Sequence, residues 1–272
     1  MLHRRRSKSR KIVNVCVGLT DVWSKPGIHF ERNTQALWGT QVEVLGTNHN
    51  GFVKGALPDK SKGFLRSSHL GPAPHGEKAD IRISSNFVPV RSAPAMDADI
   101  IFGAHFNTEF IQSKTVMGWT EVVLLDHSTG WIPDDSFLRI EKENRERRLL
   151  LEIINKAKEF IGTPYLWGGI TPAGWDCSGF IQAILRHFDI LFPRDTKDQV
   201  KCGRRIRYIS HRPGDLIFFD RHVGMVISEN RIIHCSAHRG SVGIDTLEND
   251  GGDYGRTMFN NIRAVKRIFP DR

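Results

Sequence analysis

The first half of the sequence repeats itself, and this repeat restricts the folds that the chain can adopt. Three short motifs recur after 67 or 68 residues, and in both copies the aromatic residues of the second and third motifs are 12 residues apart. A period of this length is too long for a solenoid and is typical of two tandem domains of about 60 residues each. The paired motifs are Ser24-Lys25-Pro26 with Ser92-Ala93-Pro94, Gly51-Phe52 with Gly118-Trp119, and Gly63-Phe64-Leu65 with Gly130-Trp131-Ile132.

Each copy has the pattern of a small all-β unit. Short runs of alternating polar and apolar residues, such as 41–45 and 120–125, are separated by Gly, Pro, Asn and Asp, which predicts strands and turns. We therefore predict two small barrels, over residues 12–75 and 80–140, with the Pro- and Gly-containing stretch 71–76 at their boundary. The aromatic residues of the repeated motifs are expected to be core residues of these barrels.

The pattern changes after residue 140, where a different domain is predicted over residues 145–272. A charged run at 141–148 leads into apolar residues at helical spacing, which predicts an amphipathic helix over 145–161. A second helix is predicted over 177–188, and strands are predicted over 216–219, 222–227 and 231–235. This order of helices followed by strands indicates an α+β domain.

Net charge argues against a dedicated nucleic-acid-binding protein. The chain has 39 Lys plus Arg against 30 Asp plus Glu, a formal charge of +9. Six positive charges lie within the first eleven residues, so the remainder of the chain is nearly balanced and a basic domain is not expected. We interpret residues 1–11 as a flexible arm. Its positive residues are Arg4, Arg5, Arg6, Lys8, Arg10 and Lys11.

The sequence also limits the expected location and cofactors. It contains no stretch approaching the roughly 20 apolar residues of a membrane span, so no transmembrane segment is expected. The segment after the basic arm is short and alternates like a strand, which does not indicate a cleaved signal peptide; we expect a cytoplasmic protein, with export by a route not visible in the sequence as the alternative. The cysteines form no CxxC pair, and neither a metal nor an organic cofactor is expected.

One cysteine has a position with chemical meaning. Cys177 lies where a glycine-rich loop meets the predicted second helix, and a helix N-terminus favours the thiolate, so we expect the pKa of Cys177 to be lowered. His222 and His234 lie on neighbouring predicted strands, where a spacing of 12 would set their rings side by side. One histidine can pair with Cys177 while the other orients it. From these residues alone, a buried thiol and ordinary histidines remain possible. We interpret the other cysteines, Cys16, Cys202 and Cys235, as structural, and His187, His211 and His238 as surface residues.

The motifs taken together, from about residue 147 to 245, resemble the NlpC/P60 cysteine peptidases in order and spacing. The N-terminal repeats resemble the bacterial SH3-like modules of cell-wall proteins. This resemblance implies a papain-like fold and cleavage of peptidoglycan stem peptides, usually between γ-D-glutamate and a diamino acid such as diaminopimelate. The matching motifs are 162–169 (GTPYLWGG), 176–180 (DCSGF), 194–196 (RDT), 213–219 (PGDLIFF), 222–225 (HVGM) and 233–234 (IH).

The resemblance also implies roles for individual residues. Cys177 would be the nucleophile, His222 the general base and His234 the residue that orients it. Tyr165 matches a family tyrosine that lies against the site and helps to stabilise the oxyanion, although it can also be a packing residue.

The combination of SH3-like modules with this domain resembles the γ-D-glutamyl-L-diamino acid endopeptidases that trim released murein peptides with a free L-Ala. By that resemblance, Asp176, Ser178 and Glu31 contact the α-ammonium group, with a helix cap as the alternative for Asp176. The same branch uses a tyrosine from the first module, whereas the first tyrosine here is Tyr165. Longer or cross-linked wall fragments therefore remain possible substrates. A thiol-dependent acyltransferase and a non-enzymatic wall-binding protein remain alternative functions.

Overall fold

The computed structural model describes residues 11–72, 78–140, 149–247 and 252–269. Within these ranges the chain forms two seven-stranded antiparallel sheets, followed by an α+β domain built around a six-stranded sheet. The strands of the first sheet, which we call module 1, are β1 (Ile12–Val15), β2 (Leu19–Trp23), β3 (Arg32–Leu37), β4 (Gln41–His49), β5 (Phe52–Ala56), β6 (Lys62–Arg66) and β7 (Leu70–Pro72).

The second sheet, module 2, repeats the strand order of the first. Module 1 has the order β3-β2-β6-β5-β4-β1-β7, and adding seven to each number gives the order of module 2. The repeat seen in the sequence is therefore a repeat of topology. The strands of module 2 are β8 (Ile81–Ile83), β9 (Phe87–Arg91), β10 (Ile100–His105), β11 (Glu109–Val116), β12 (Trp119–Val123), β13 (Thr129–Pro133) and β14 (Phe137–Arg139).

The repeated aromatic residues are buried to different extents. Phe52 and Trp131 are buried, as expected, whereas Phe64 and Trp119 are only partly covered. The interior of module 1 is instead formed by aliphatic residues such as Val22. Outside the described ranges lie residues 1–10 of the predicted arm and residues 73–76 of the predicted boundary. Lys11, the last residue of that arm, already accepts a hydrogen bond from the Val44 amide at 2.9 Å.

The third domain places helices against one six-stranded sheet. The sheet has the order β17-β22-β18-β19-β20-β21, and α2 packs against β19 and β20. Its elements are α1 (Leu149–Glu159), β15 (Ile170–Thr171), β16 (Gly174–Trp175), α2 (Cys177–His187), α3 (Thr196–Gln199), β17 (Arg204–Ile206), β18 (Leu216–Phe219), β19 (His222–Ser228), β20 (Arg231–Ser236), β21 (Ser241–Thr246), α4 (Gly252–Asn260) and β22 (Ala264–Arg267).

The predicted elements of this domain agree closely with the structure. The helix expected over 177–188 is α2, and the three expected strands are β18, β19 and β20. The first helix is described from Leu149, and the charged run 141–148 lies outside the described residues. Strands β17 and β21 were not predicted, and β17, with three residues, is too short to give a recognisable period.

Module 2 holds the C-terminal end of α2. The Arg82 guanidinium donates to the carbonyl oxygens of Arg186 at 2.8 Å and His187 at 3.1 Å, and the Asn107 amide donates to that of Ala183 at 2.8 Å. The carbonyls of Arg186 and His187 belong to the last helical turn, whose carbonyls have no partners within the helix. Module 2 therefore caps the helix that begins with Cys177.

The same interface corrects the placement of His187. The expectation that His187 is a surface residue is wrong, because its side chain is buried, stacked on Phe106 and 3.3 Å from Asn107. The sequence did not reveal that another domain covers this face of α2. His238, by contrast, is exposed as predicted and stacks on Tyr254.

Module 1 contacts the α+β domain through hydrogen bonds between polar groups. The Thr34 hydroxyl accepts a bond from Arg194 Nε at 2.8 Å, and Gln35 Oε1 accepts one from the Ile170 amide at 3.2 Å. Among the described residues, no helix is both long and apolar enough to cross a membrane. The described residues also contain no group of three or more His, Cys, Asp or Glu side chains arranged to hold a metal ion.

Candidate active site

Cys177 is the first residue of α2, and the loop before it is shaped to cap that helix. Asp176 has extended backbone angles, and its Oδ1 accepts a hydrogen bond from the Gly179 amide at 2.7 Å. Its other oxygen, Oδ2, accepts one from the Gly168 amide at 3.0 Å. A Cβ atom at Gly179 would collide with the carbonyl oxygen of Gly169, so glycine is required for the loop to pack this closely on the helix. The sequence therefore positions Cys177 at a helix N-terminus, as predicted.

The thiol of Cys177 is buried between α2 and the start of β19. Its Sγ lies 3.8 Å from the carbonyl oxygen of Arg221 and 4.0 Å from the Thr196 hydroxyl, and the Val223 amide donates towards it. Burial raises the pKa of Cys177 to about 11, and the negative charge of Asp176 adds to this effect. The expectation of a lowered pKa is therefore wrong, because burial outweighs the hydrogen bonds that favour the thiolate.

Two histidines and an aspartate form a continuous hydrogen-bonded series beside this thiol. Nε2 of His222 lies 2.7 Å from Nδ1 of His234, and Nε2 of His234 lies 2.7 Å from Oδ2 of Asp245. A carboxylate only accepts, so His234 Nε2 carries a hydrogen and its Nδ1 must accept from His222 Nε2. The nitrogen of His222 that is left to take a proton is Nδ1. This is the tautomer that a general base for Cys177 requires.

Strand pairing explains why these groups meet. The pairs Met225 with Ile233 and Val226 with Ile232 fix β19 against β20, which sets the residues that precede Met225 beside His234. On the other side of β20, His234 lies opposite Gly243, and Asp245 is two residues further along β21. A Cβ atom at Gly243 would collide with the Arg239 side chain, which crosses that position to reach Asp245.

The electrostatics of the series favour a neutral His222 at rest. Burial is the main reason that the pKa of His222 is lowered to about 3. The neighbouring His234 also lowers this pKa, by more than Asp245 raises it. Burial opposes ionisation of Asp245, but hydrogen bonds from His234 and Arg239 outweigh it and hold the pKa of that carboxyl well below its usual range. Asp245 is therefore a carboxylate. At neutral pH the site contains a neutral thiol, a neutral His222 imidazole and one negative charge on Asp245.

Tyr165 lies on the loop in front of the site. Its amide donates to the carbonyl of Gly240 at 2.8 Å, and it forms a backbone bridge with Trp175, the residue two before Cys177. Burial raises the pKa of Tyr165 above its ordinary value, and the negative charges that Cys177 and Asp176 carry when ionised add to the effect. The hydroxyl therefore stays protonated at neutral pH and can donate a hydrogen bond.

Asp176 and Ser178 are tied together by an arginine that sequence analysis quoted in a motif but gave no role. Arg194 is 3% exposed and reaches the two oxygens of Asp176 at 3.0 and 2.5 Å. The same guanidinium donates to the Ser178 hydroxyl at 2.9 Å. Both predicted substrate contacts are thus buried and bonded within the protein. Their role towards substrate stays a prediction.

Glu31 of module 1 reaches the α+β domain. Its Oε1 accepts a hydrogen bond from Nε1 of Trp167 at 3.0 Å, and Trp167 directly precedes the Gly168 amide that bonds Asp176. The structure thus brings Glu31 to the loop in front of Cys177, although 136 residues separate Glu31 from Trp167 in the sequence. Sequence reasoning missed Trp167, Arg194 and Asp245. Trp167 and Arg194 lie within the quoted motifs but were given no role, and Asp245 lies on β21, a strand that was not predicted.

Comparison with known proteins identifies the domain that carries this site. Residues 162–258 match the model of the NlpC/P60 family. The chain is 36% identical over 129 residues to the gamma-D-glutamyl-L-lysine dipeptidyl-peptidase of Bacillus subtilis, an alignment that covers 44% of this chain and 41% of that protein. It is 37% identical over 115 residues to a probable endopeptidase of Haemophilus influenzae, covering 39% of this chain and 69% of that protein.

The whole fold also has a solved counterpart. A crystal structure of an NlpC/P60 family protein from Bacillus cereus matches 96% of this chain and 100% of its own with a TM-score of 0.81, at 20% sequence identity. The chain spans less than half of the length of the B. subtilis protein, 41%. The matched segment contains Cys177 together with the hydrogen-bonded series of His222, His234 and Asp245. The chain belongs to the NlpC/P60 family.

Proposed function

We propose that this protein is a cysteine endopeptidase that hydrolyses the amide between γ-D-glutamate and the diamino acid of peptidoglycan stem peptides. The observation that carries the proposal is the series of hydrogen bonds from His222 through His234 to Asp245, beside a thiol at the start of α2. The B. subtilis relative is named for a γ-D-glutamyl-L-lysine bond, which supports a bond of this class.

Acylation begins from the neutral thiol. As Sγ of Cys177 bonds to the carbonyl carbon of the substrate, its proton passes to Nδ1 of His222. The positive charge that forms on His222 is stabilised through its hydrogen bond to His234 and then by Asp245. The Cys177 amide, one of the unpaired donors of the first helical turn, and the Tyr165 hydroxyl are the donors for the oxyanion.

Collapse of this intermediate breaks the carbon–nitrogen bond. The proton on Nδ1 of His222 passes to the leaving amine, the diamino acid departs, and a thioester to Cys177 remains. His222 then takes a proton from water, whose oxygen attacks the thioester carbon. The carbon–sulfur bond breaks, and the sulfur regains the proton as the γ-carboxylate of glutamate is released. These steps require no cofactor.

We further propose that the enzyme acts on released murein peptides with a free α-ammonium group, in the cytoplasm. The charges at the cleft support Glu31 as the main contact for that group. Asp176 is paired with Arg194 and Asp21 is paired with Arg32 at 2.6 Å, whereas the hydrogen-bond partner of Glu31 is the uncharged indole of Trp167. Among the described residues no cation pairs with Glu31, so its negative charge is available to substrate.

The experiment compares wild type with Cys177→Ala on L-Ala-γ-D-Glu-diaminopimelate, with mass spectrometry of the products. Wild type is expected to release diaminopimelate, and Cys177→Ala is expected to release none. Cys16→Ala, which removes an exposed thiol on module 1, is the matched control and should retain full turnover. Unchanged turnover by Cys177→Ala would refute the assignment. Digestion of intact sacculi with muramyl-linked stems would refute the requirement for a free ammonium group.

A further inference from the structure

We propose that one face of module 1 binds a membrane surface that contains anionic phospholipids. The face is the side of strands β5 and β6 that points away from the core of module 1, and we call it the basic face. Its cations are Lys54, Lys62 and Arg66, whereas Leu65, on the other side of β6, is fully buried in the core. The inference goes beyond the proposed function, because it concerns where the enzyme is held and not which bond it cleaves.

Strand register places the three cations on the same side of the sheet. Lys54 on β5 lies opposite Phe64 on β6, and Phe52 lies opposite Arg66. Residues paired across two strands share a face, and so do residues two apart along one strand. Lys62 and Arg66, which flank Phe64 at this spacing, therefore lie on the same side as Lys54.

Two of these cations rest on aromatic rings and keep their charge at the surface. Lys54 Nζ lies 5.8 Å from the centre of the Phe64 ring, and Arg66 Cζ lies 5.5 Å from the centre of the Phe52 ring. Lys54, Lys62 and Arg66 are all exposed, and within the described part of the chain none of them forms a salt bridge. The rings attract the cations without cancelling their charge. The basic face therefore presents three positive charges to a partner.

Module 2 shows that the sheet does not need these cations in order to form. Its strands β12 and β13 pair in the same register as β5 and β6, so each position of module 1 has an equivalent in module 2. The aromatic positions are kept in module 2, but the cations are not. The residues equivalent to Phe52 and Phe64 are Trp119 and Trp131, and those equivalent to Lys54, Lys62 and Arg66 are Glu121, Thr129 and Pro133.

The charge of the two modules differs in the same sense. Residues 11–72 contain seven Lys and Arg against four Asp and Glu, whereas residues 78–140 contain five against eight. An anionic surface therefore attracts module 1 and repels module 2. The protein would meet such a surface with module 1 first.

The arrangement of the basic face favours a lipid surface over a nucleic acid. Single-stranded nucleic acids bind by stacking their bases on aromatic rings, but Lys54 and Arg66 already lie over Phe64 and Phe52. The cations spread across two paired strands, which suits the two-dimensional array of phosphates at the surface of a bilayer. Lys and Arg are attracted to anionic lipids, and aromatic rings are favoured at the level of the headgroups. The basic face carries both kinds of residue.

The test is co-sedimentation of the full-length protein with lipid vesicles. Wild type should bind vesicles of equal parts phosphatidylglycerol and phosphatidylcholine, and should not bind vesicles of phosphatidylcholine alone. The triple variant Lys54→Gln, Lys62→Gln, Arg66→Gln should bind the anionic vesicles roughly 10²-fold more weakly, about fivefold for each charge. The triple variant Lys78→Gln, Lys114→Gln, Arg139→Gln is the matched control. It removes three exposed cations from module 2 and should bind like wild type.

Three outcomes would overturn the inference. The first is a wild type that does not bind the anionic vesicles, and the second is an equal loss of binding in the two triple variants. The third is binding of poly(U), in place of vesicles, that the basic-face variant loses. Thermal unfolding of each variant checks that the fold is intact.

A separate assay distinguishes this inference from the proposed function. Both triple variants should hydrolyse soluble L-Ala-γ-D-Glu-diaminopimelate with the kcat and KM of wild type, because the basic face carries no residue of the active site. Failure of wild type to release diaminopimelate would refute the proposed function, whereas the vesicle result would still stand.

Discussion

Nε2 of His222 lies 2.7 Å from Nδ1 of His234, and this contact determines which nitrogen of His222 can act as a base. The direction of the bond is set one residue further away, because Asp245 can only accept from His234. A change at Asp245 is therefore transmitted through two rings to Nδ1 of His222. The hydrogen bonds of the site run in one line, and the direction of each bond depends on the next group along that line.

The first prediction concerns Asp245. Asp245→Asn should lower kcat/KM roughly 10²-fold, since the amide neither enforces the His234 tautomer nor offsets the charge on His222. KM should change little, because Asp245 is remote from the leaving and acyl groups in this arrangement. Arg239→Gln is the control, as Arg239 bonds the same carboxylate from the exposed side; it should cost far less. Equal losses of kcat/KM in the two variants would contradict a role for the hydrogen-bonded series from Asp245 to His222.

The second prediction concerns the pH dependence of thiol reactivity. Because the pKa of Cys177 is raised to about 11, the alkylation rate with iodoacetamide should keep rising from pH 6 to pH 10. A thiolate–imidazolium pair would instead give a plateau below pH 8. The rate must be measured on the peptide that contains Cys177, since Cys16 is an exposed thiol. A plateau near pH 7 would show that the resting pair is ionised.

The sequence was most informative where one element carries a periodic pattern. The start of α2 at Cys177 and the strands of His222 and His234 were predicted because loop, helix and strands have distinct local signals. The raised pKa of the thiol was not foreseen, since burial depends on how α2 packs against β19. Contacts such as Glu31 with Trp167 join different domains, and no local pattern encodes them. The role of Arg194 was missed for the same reason.

The third prediction concerns Arg82, which bridges module 2 and α2. Arg82→Met should reduce the free energy of unfolding by about 3 kcal/mol, because carbonyls of the last turn and the carboxylate of Glu109 lose a buried partner. Arg139→Met, an exposed arginine on the neighbouring strand of module 2, is the control and should change stability by less than about 0.5 kcal/mol. Urea denaturation measures both. Indistinguishable midpoints would refute the capping role.

The fourth prediction concerns stability in acid. Burial lowers the pKa of His187 to about 3, whereas the unfolded side chain takes up a proton near pH 6.5. Between these values the unfolded state binds more protons, so stability falls as the pH falls, by roughly 1.4 kcal/mol per pH unit for this group. His187→Gln removes this titration while keeping a polar group near Asn107. The slope of the unfolding free energy against pH, between pH 6 and pH 4, should then be shallower by about the amount that the uptake of one proton contributes. An unchanged slope would contradict the prediction.

Modules 1 and 2 have the same strand order, yet they meet the helix of Cys177 in different places. Module 1 contacts Arg194 and Trp167 near the beginning of this helix. Module 2 covers the carbonyls at the end of the helix. Two copies of one structural unit thus have separate duties: one holds the loop in front of Cys177, and the other holds the last turn of its helix. Trimming the chain to its α+β domain would remove both duties at once. Exchanging the modules would not restore them, because the contacts belong to individual side chains and the shared topology does not supply them.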